Sequence, residues 1–255
     1  MVQYYETKTI GTLESLIEEL LCLRKQGFWS FRGQRNHEWD LGLHDMPDDD
    51  KLAVCLKQFK KRCMEFPRPD YVDDKKDWRW LFYAQHHRLK TRLLDWTTNP
   101  LVALYFAVEN IMSHGDDESD FGAVWALKVR SIDFLTPSHS GKPSTVHRWI
   151  MINPPPVTER IVRQSGKFSF HPPEDDKPLN LEARRYDEEK LVKIIVKKDD
   201  ENPSKNIRNQ LGIMNVHHAA LFPDPDGVAK FVNKEWKDIA VSFSDEIDPL
   251  AGMGK

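Results

Sequence analysis

Residues Gln85–Val108 run QHHRLKTRLLDWTTNPLVALYFAV. The first half places His86, His87, Arg92, Asp95, Trp96, Thr97 and Asn99 within fifteen residues, a dense set of groups able to bind or react. The second half is apolar. Asn99-Pro100 joins the two: a side chain that caps a helix, then a proline whose fixed φ and missing N–H suit the first helical position. The helix is expected to reach about Met112. Leu101, Leu104, Tyr105 and Val108 form one face, and Ala103, Phe106 and Ala107 another. A helix apolar nearly all round belongs inside the protein. A site held by a rigid core is the expectation.

Upstream, Trp78–His87 is an aromatic-rich helix. Lys51–Phe66 is another, with Leu52, Cys55, Leu56, Phe59, Cys63 and Phe66 on one side, closed by Pro67 and Pro69. Thr12–Gln26 is a third, capped by Thr12 and ended by Gly27. Between them, Phe28–Gln34 is a short aromatic strand stopped at Gly33, where the backbone can turn or approach something closely. Leu89–Thr98 shows no periodicity and is taken as a connection. Downstream, Ala123–Val129 and Leu191–Val196 are strands, and Val157–Phe170 combines a helical turn with a strand from Lys167. Pro203–Leu211 is a short helix ended by Gly212, and Val216–Phe222 is extended. Pro223-Asp-Pro-Asp-Gly then leads into a last helix, Gly227–Trp236, with Asp224 or Asp226 as cap. The expected class is α+β: a compact, partly antiparallel sheet with a mostly helical N-terminal half. Residues 1–11 are set aside as an N-terminal extension, 12–236 as the domain and 237–255 as a C-terminal tail.

The 255 residues are 40% hydrophobic and 30% charged, which suits a folded globular chain rather than a disordered one. A net charge of −3 gives no general case for nucleic acid binding. Cys22, Cys55 and Cys63 form no CxxC pair and are expected to be buried free thiols. No signal sequence and no apolar run of membrane-spanning length is present, so the expected location is the cytoplasm, without membrane contact.

Four polar groupings carry the chemistry. In the first, Arg32-Gly33-Gln34 ends a strand, and Arg32 can present its guanidinium fork to a phosphate or carboxylate. The bland alternative is an internal ion pair. The second is His86 to Asn99. His87 can act as acid, base or hydrogen-bond donor, and Asp95 can orient a histidine or hold Arg92. The alternative there is an Arg92–Asp95 pair beside a core Trp96. The third grouping, Arg160, Arg163, Gln164, Ser165 and Gly166, either lines a ligand cleft or is a solvated turn. Last, the carboxylates of Asp224 and Asp226 are read as turn and cap residues. His86, His87, Asp95, His217, His218, Asp224 and Asp226 can all ligate metal, but adjacent histidines point to opposite sides and no HExxH occurs. No metal site is expected. With no phosphate loop, GxGxxG or GxSxG, kinases, Rossmann dehydrogenases and α/β-hydrolases lose their sequence support.

Taken together, Trp29-Ser-Phe-Arg-Gly-Gln, the long QHH…TRLLDWTTNPLVALYFAV motif, Arg160 to Phe168 in looser form and LFPDPDGVAKF at Leu221 to Phe231 resemble the FRG domain family of bacteria and phages. That family usually reads HHGLPTRLLDW. Here Arg88 and Lys90 replace the Gly and Pro and add two positive charges. The Pro-Ser-Leu usual after FRGQ is also replaced, by Leu41-Gly-Leu. A weaker resemblance is to ADP-ribosyltransferase-like folds, which open with an Arg-Gly strand and use a late Glu; Glu182 and Glu188 are the candidates for it. The resemblances imply a nucleotide-using, toxin-like effector in phage defence, with NAD as candidate cofactor and a phage or defence-system protein as candidate partner. His87, Arg92 and Asp95 would be catalytic. Arg32, Gly33, Gln34, His86, Thr97, Arg163 and Gln164 would bind the ligand. The alternatives are a non-catalytic module that senses nucleotide or nucleic acid and, ranked last, a nuclease, which would need a metal or a His/Arg acid–base site; the basic run Lys57–Arg62 reads as a solvated helix face.

Overall fold

The computed structural model describes residues 5–43, 48–66, 72, 77–109, 119–129, 134–135, 142–155, 158–172, 191–197 and 206–233. The chain enters as strand β1 (Glu6–Ile10) and passes into helix α1 (Leu13–Arg24). It then runs through β2 (Trp29–Gln34), α2 (Asp49–Cys63), α3 (Asp77–His86), β3 (Leu93–Thr97) and α4 (Pro100–Val108). β4 (Phe121–Lys128), β5 (Phe134–Leu135), β6 (Ile150–Ile152), α5 (Glu159–Arg163) and β7 (Gly166–Phe170) follow. β8 (Leu191–Lys197), α6 (Ile207–Ile213), α7 (His218–Leu221) and a helical run at 225–233 complete it.

The eight strands form one sheet in the order β1-β8-β4-β2-β3-β7-β6-β5. β1–β8 and β5–β6 are parallel and the other pairs antiparallel, so the fold is α+β with a mixed sheet. The N-terminal half carries helices α1 to α4, as expected, interspersed with strands β1 to β3 and followed by β4. Residues 6–10, set aside as an extension, supply the edge strand β1. Leu93–Thr97, taken as a connection, is a strand between β2 and β7. Val216–Phe222, taken as extended, contains α7. Cys22 and Cys55 are exposed rather than buried.

Successive residues of a strand face opposite sides of a sheet. Val124 and Ala126 of β4 pack with α1, α4 and α6, whereas Trp125 and Leu127 join Leu94, Trp96 and Met151 on the other side. Both faces of the middle strands are thus covered, which explains why β4 reads as a continuous apolar run. α3 adds Trp78, Leu81 and Phe82 against Leu93, Ile150, Ile152, Phe168 and Phe170.

α4 begins as its sequence dictates. Asn99 Oδ1 accepts from the Leu101 amide at 3.0 Å, with Pro100 in the first turn. The helix buries Val102, Ala103, Leu104, Tyr105, Ala107 and Val108. Its approach to the sheet is set by two glycines. A Cβ on Gly33 would collide with the Ala103 carbonyl oxygen, and one on Gly122 with that of Ala107. The close approach anticipated at Gly33 is therefore made by a helix of the same chain.

β2 and β3 share one register pair, Phe31↔Thr97, whereas β2 pairs with β4 over six residues and β3 with β7 over five. Beyond that pair the sheet is split between the two strands. Arg32 and Asp95 stand on either side of the split.

Candidate functional site

The split opens into a cleft of two compartments. The larger, of about 1530 Å³, is walled by Arg32, Gly33 and Gln34 of β2, His86 and His87 at the end of α3, Glu109 after α4, Arg160 of α5, His218 of α7 and residues of 224–233. The smaller, of about 460 Å³, lies over β3 and includes Gln85, Lys90, Asp95, Gln164 and Lys167. Arg32, Gly42, His86, Arg88 and Arg160 border both.

Arg32 sits at the junction. Its Nη1 donates to the Asp95 carbonyl oxygen at 2.9 Å, so a side chain takes the place of a ladder hydrogen bond. Its Nε is buried and has no hydrogen-bond partner among the described residues. Burial holds the guanidinium below its ordinary value, and the nearby Asp95 carboxylate opposes that shift. An arginine remains charged under such conditions, so the junction holds a desolvated cation that an anion would satisfy.

Arg160 faces the same place. Its guanidinium lies 4.5 Å from the Phe222 ring centre, a cation–π contact that fixes its plane. Burial lowers its ordinary value; Asp95, Asp224 and Glu109 pull it back up, and Arg88 adds to the lowering. The third cation, Arg88, ends α3. Its amide donates to the Gln85 carbonyl at 3.0 Å and that of Leu89 to the Ala84 carbonyl at 3.0 Å. These two bonds make a Schellman C-cap, which requires a left-handed residue. Arg88 supplies it with φ of 63°. This is the position at which the resembled motif has Gly.

The two histidines differ. His86 borders both compartments and is held neutral-leaning by burial first, then by His87 and Arg160, with Asp224 opposing. His87 is exposed, borders only the larger compartment and lies edge-on to Tyr83 at 4.5 Å between ring centres. Burial lowers its value too. Asp95 Oδ2 accepts from Gln85 Nε2 at 2.9 Å, and Thr91 Oγ1 donates to Gln85 Oε1 at 2.6 Å. That network fixes the 88–92 loop against β3.

Several expected site residues are placed elsewhere or are already engaged. Arg92 borders neither compartment; its Nη1 donates to the His171 carbonyl at 3.4 Å. The expected convergence of Arg32 with Arg92 is therefore replaced by Arg32 with Arg160. Arg163 is exposed and borders neither compartment. The Thr97 hydroxyl donates to the Gln164 carbonyl at 2.6 Å, and Gln164 Nε2 to the Leu221 carbonyl at 3.0 Å, so both tie the walls together. Gln34 accepts from Trp125 Nε1 at 2.5 Å and donates to the Asp40 carbonyl at 3.0 Å, which holds the following loop. Asp224 Oδ1 accepts from the Gly227 amide at 2.6 Å, the anticipated cap.

Glu109 is not among the residues expected at the site, and His218 is expected there only as a possible metal ligand. Tyr105 Oη donates to Glu109 Oε1 at 2.9 Å and lies 2.9 Å from His218 Nδ1, which is 3.2 Å from Glu109 Oε1. An acid and a histidine thus stand in the larger compartment. The available signal was Glu109 directly after an apolar helix, where a carboxylate is costly unless paired. Glu182 and Glu188, the two candidates for a late acid, lie outside the described residues. Among the described residues no group of three or more His, Cys, Asp or Glu is placed to hold a metal ion.

Residues 28–116 match the family model of the FRG domain. The chain carries an FRG domain. The matched FRG segment spans β2 through α4 and includes Arg32, His86, Arg88, Asp95 and Glu109; Arg160 and His218 reach the cleft from beyond it. No curated protein and no solved structure matches the chain. No helix among the described residues is long and apolar enough to cross a membrane.

Proposed function

We propose that the cleft binds a dinucleotide through its central phosphates, NAD being the candidate, and that the protein is an effector of ADP-ribosyltransferase or NAD glycohydrolase type acting in phage defence. One observation carries the reading: Arg32, Arg88 and Arg160 border both compartments, so the cations gather where the middle of a two-armed ligand would lie. A diphosphate there would satisfy the orphaned Arg32 Nε and accept bidentate contacts. The arms would occupy the two compartments. His86, held toward its neutral form, can hydrogen-bond a ribose without adding charge. The larger compartment alone carries Glu109 and Asp224, which suit a cationic nicotinamide better than a second phosphate.

The resemblance supplies the biological role, and the cation placement supplies the ligand class. Titration calorimetry with NAD and with ADP-ribose, on wild type and on Arg32→Ala and Arg160→Ala, tests the ligand. Each variant is expected to weaken binding at least about tenfold, near 1.4 kcal/mol. Nicotinamide release, followed by chromatography, tests the chemistry. Binding without release would leave a sensing module; no binding of either ligand sinks both readings.

A further inference from the structure

We infer that the smaller compartment selects an adenosine arm that carries its own phosphate on the ribose, so that the cleft prefers NADP to NAD, with Lys167 as the residue that reads the difference. Resting on the dinucleotide reading, this deepens it by naming which of the two forms is held.

The two compartments differ in charge. In the larger, the cations are matched by Glu38, Asp40, Glu109, Asp224 and Asp226. In the smaller, Arg32, Arg88, Arg160 and Lys167 face Asp95, the one acidic residue of its wall among the described residues. That carboxylate is already shared. It acts on Arg32 and Arg160, and its Oδ2 accepts from Gln85 Nε2 at 2.9 Å. An excess of cations between protein walls draws in anions more strongly than the same charges would in open water. Arg32, Arg88 and Arg160 also border the larger compartment, where they meet the diphosphate. Lys167 borders the smaller one alone, so it stands beyond the diphosphate on the side of the adenosine arm.

The sheet places this lysine firmly. Lys167 of β7 stands opposite Trp96 of β3, and a pair of this kind shares one face. Trp96 is 3% exposed and its Nε1 donates to Ser169 Oγ at 2.9 Å, which fixes the surface beside the lysine stem. The residue before Trp96 is Asp95, whose carbonyl anchors Arg32. The two cations are therefore tied to β3 one residue apart. Lys167 is half-buried, and burial alone lowers its ammonium from the ordinary 10.5. Among the described residues no hydrogen bond or ion pair engages it. A desolvated ammonium is a compact point charge, and a phosphate oxygen satisfies it. The base has its place in the same compartment. Leu89 and the stacked pair Phe82 and Phe168, 5.3 Å between ring centres, give it an apolar wall, and about 460 Å³ is the size of a small-molecule site.

Titration calorimetry compares NADP with NAD, and adenosine 2′,5′-bisphosphate with AMP, on wild type, Lys167→Gln and Lys167→Arg. Wild type is expected to bind NADP at least about tenfold tighter than NAD, the scale of one charge-assisted hydrogen bond, and to prefer the bisphosphate to AMP by a similar factor. Lys167→Gln should leave both preferences below about threefold while NAD still binds, and Lys167→Arg, which keeps the charge, should retain most of each. The wild-type comparison stands even where a variant fails to fold, which melting curves identify. Equal affinities for NADP and NAD overturn the inference and leave the dinucleotide reading in place. A preference that survives Lys167→Gln undiminished overturns it as well, because the third phosphate then lies elsewhere. If neither dinucleotide binds, the dinucleotide reading fails, and equal binding of the bisphosphate and AMP then overturns the selectivity of the compartment too.

Discussion

Arg88 is a residue used against its backbone preference. A β-carbon in the left-handed region costs about 1–2 kcal/mol, and glycine removes that strain. Arg88→Gly should therefore raise the melting free energy by about 1 kcal/mol while weakening ADP-ribose binding, two opposite effects read from one melting curve and one titration. The histidines next to it tie stability to pH. Burial lowers both His86 and His87 from the ordinary value of 6.5, so the unfolded chain takes up protons first as pH falls. Their contribution is complete above that value and is lost as pH drops through it toward the lowered folded values. Melting temperature is expected to fall between pH 7.5 and 5.5, and the slope should flatten in His86→Ala/His87→Ala. A slope unchanged in the double variant would assign the effect to other groups.

At the scale of elements, α4 is the piece most tightly fitted to the sheet. Gly33→Ala would drive a methyl group into the Ala103 carbonyl, and either the helix or β2 must move. Overpacking of this kind costs roughly 3 kcal/mol, so the variant should unfold at markedly lower denaturant than wild type, with the cleft wall displaced and ligand binding lost as well. An Asn99→Ala control, which removes only the cap, should cost about 1 kcal/mol and leave binding intact. α4 was legible because its cap and its apolar surface are local features. β3 was not, because Asp95 interrupts an otherwise apolar LLDWT and because pairing with β7 and β2 is settled by partners far along the chain. The cleft divides in the same way. Arg32 could be picked out from its place at a strand end. Glu109 and His218 could not, because what joins them is topology rather than spacing. Arg160 and Arg163 looked equivalent in sequence until a short helix turned one inward.

At the scale of the whole molecule, the edge strand β1 matters more than its position near the terminus suggests. It pairs in parallel with β8 over five residues, Glu6↔Val192 to Ile10↔Val196, and buries Ile10. Removing residues 1–11 would expose the full edge of β8, an apolar strand with free ladder groups. The truncated chain is expected to be less stable by a few kcal/mol, about the burial of one or two core side chains plus a ladder, and to self-associate on size exclusion. A truncated chain that stays monomeric and melts with wild type would make β1 dispensable.

The strand order also carries a consequence for how the chain is made. β2 lies between β3 and β4, but β4 is completed on its far side by β8, and β8 by β1, the earliest of the described strands. Nearly 200 residues must emerge before β1 finds its neighbour, and the last cleft wall, near residue 230, emerges later still. Long-range closures of this kind are slow and leave strand edges open meanwhile. A chain stopped before α5 therefore has Arg32 without Arg160, and one stopped before α7 has Glu109 without His218. The cleft is complete only once residues up to about 233 have emerged, so a shorter chain is inert toward any ligand that needs both sides of it.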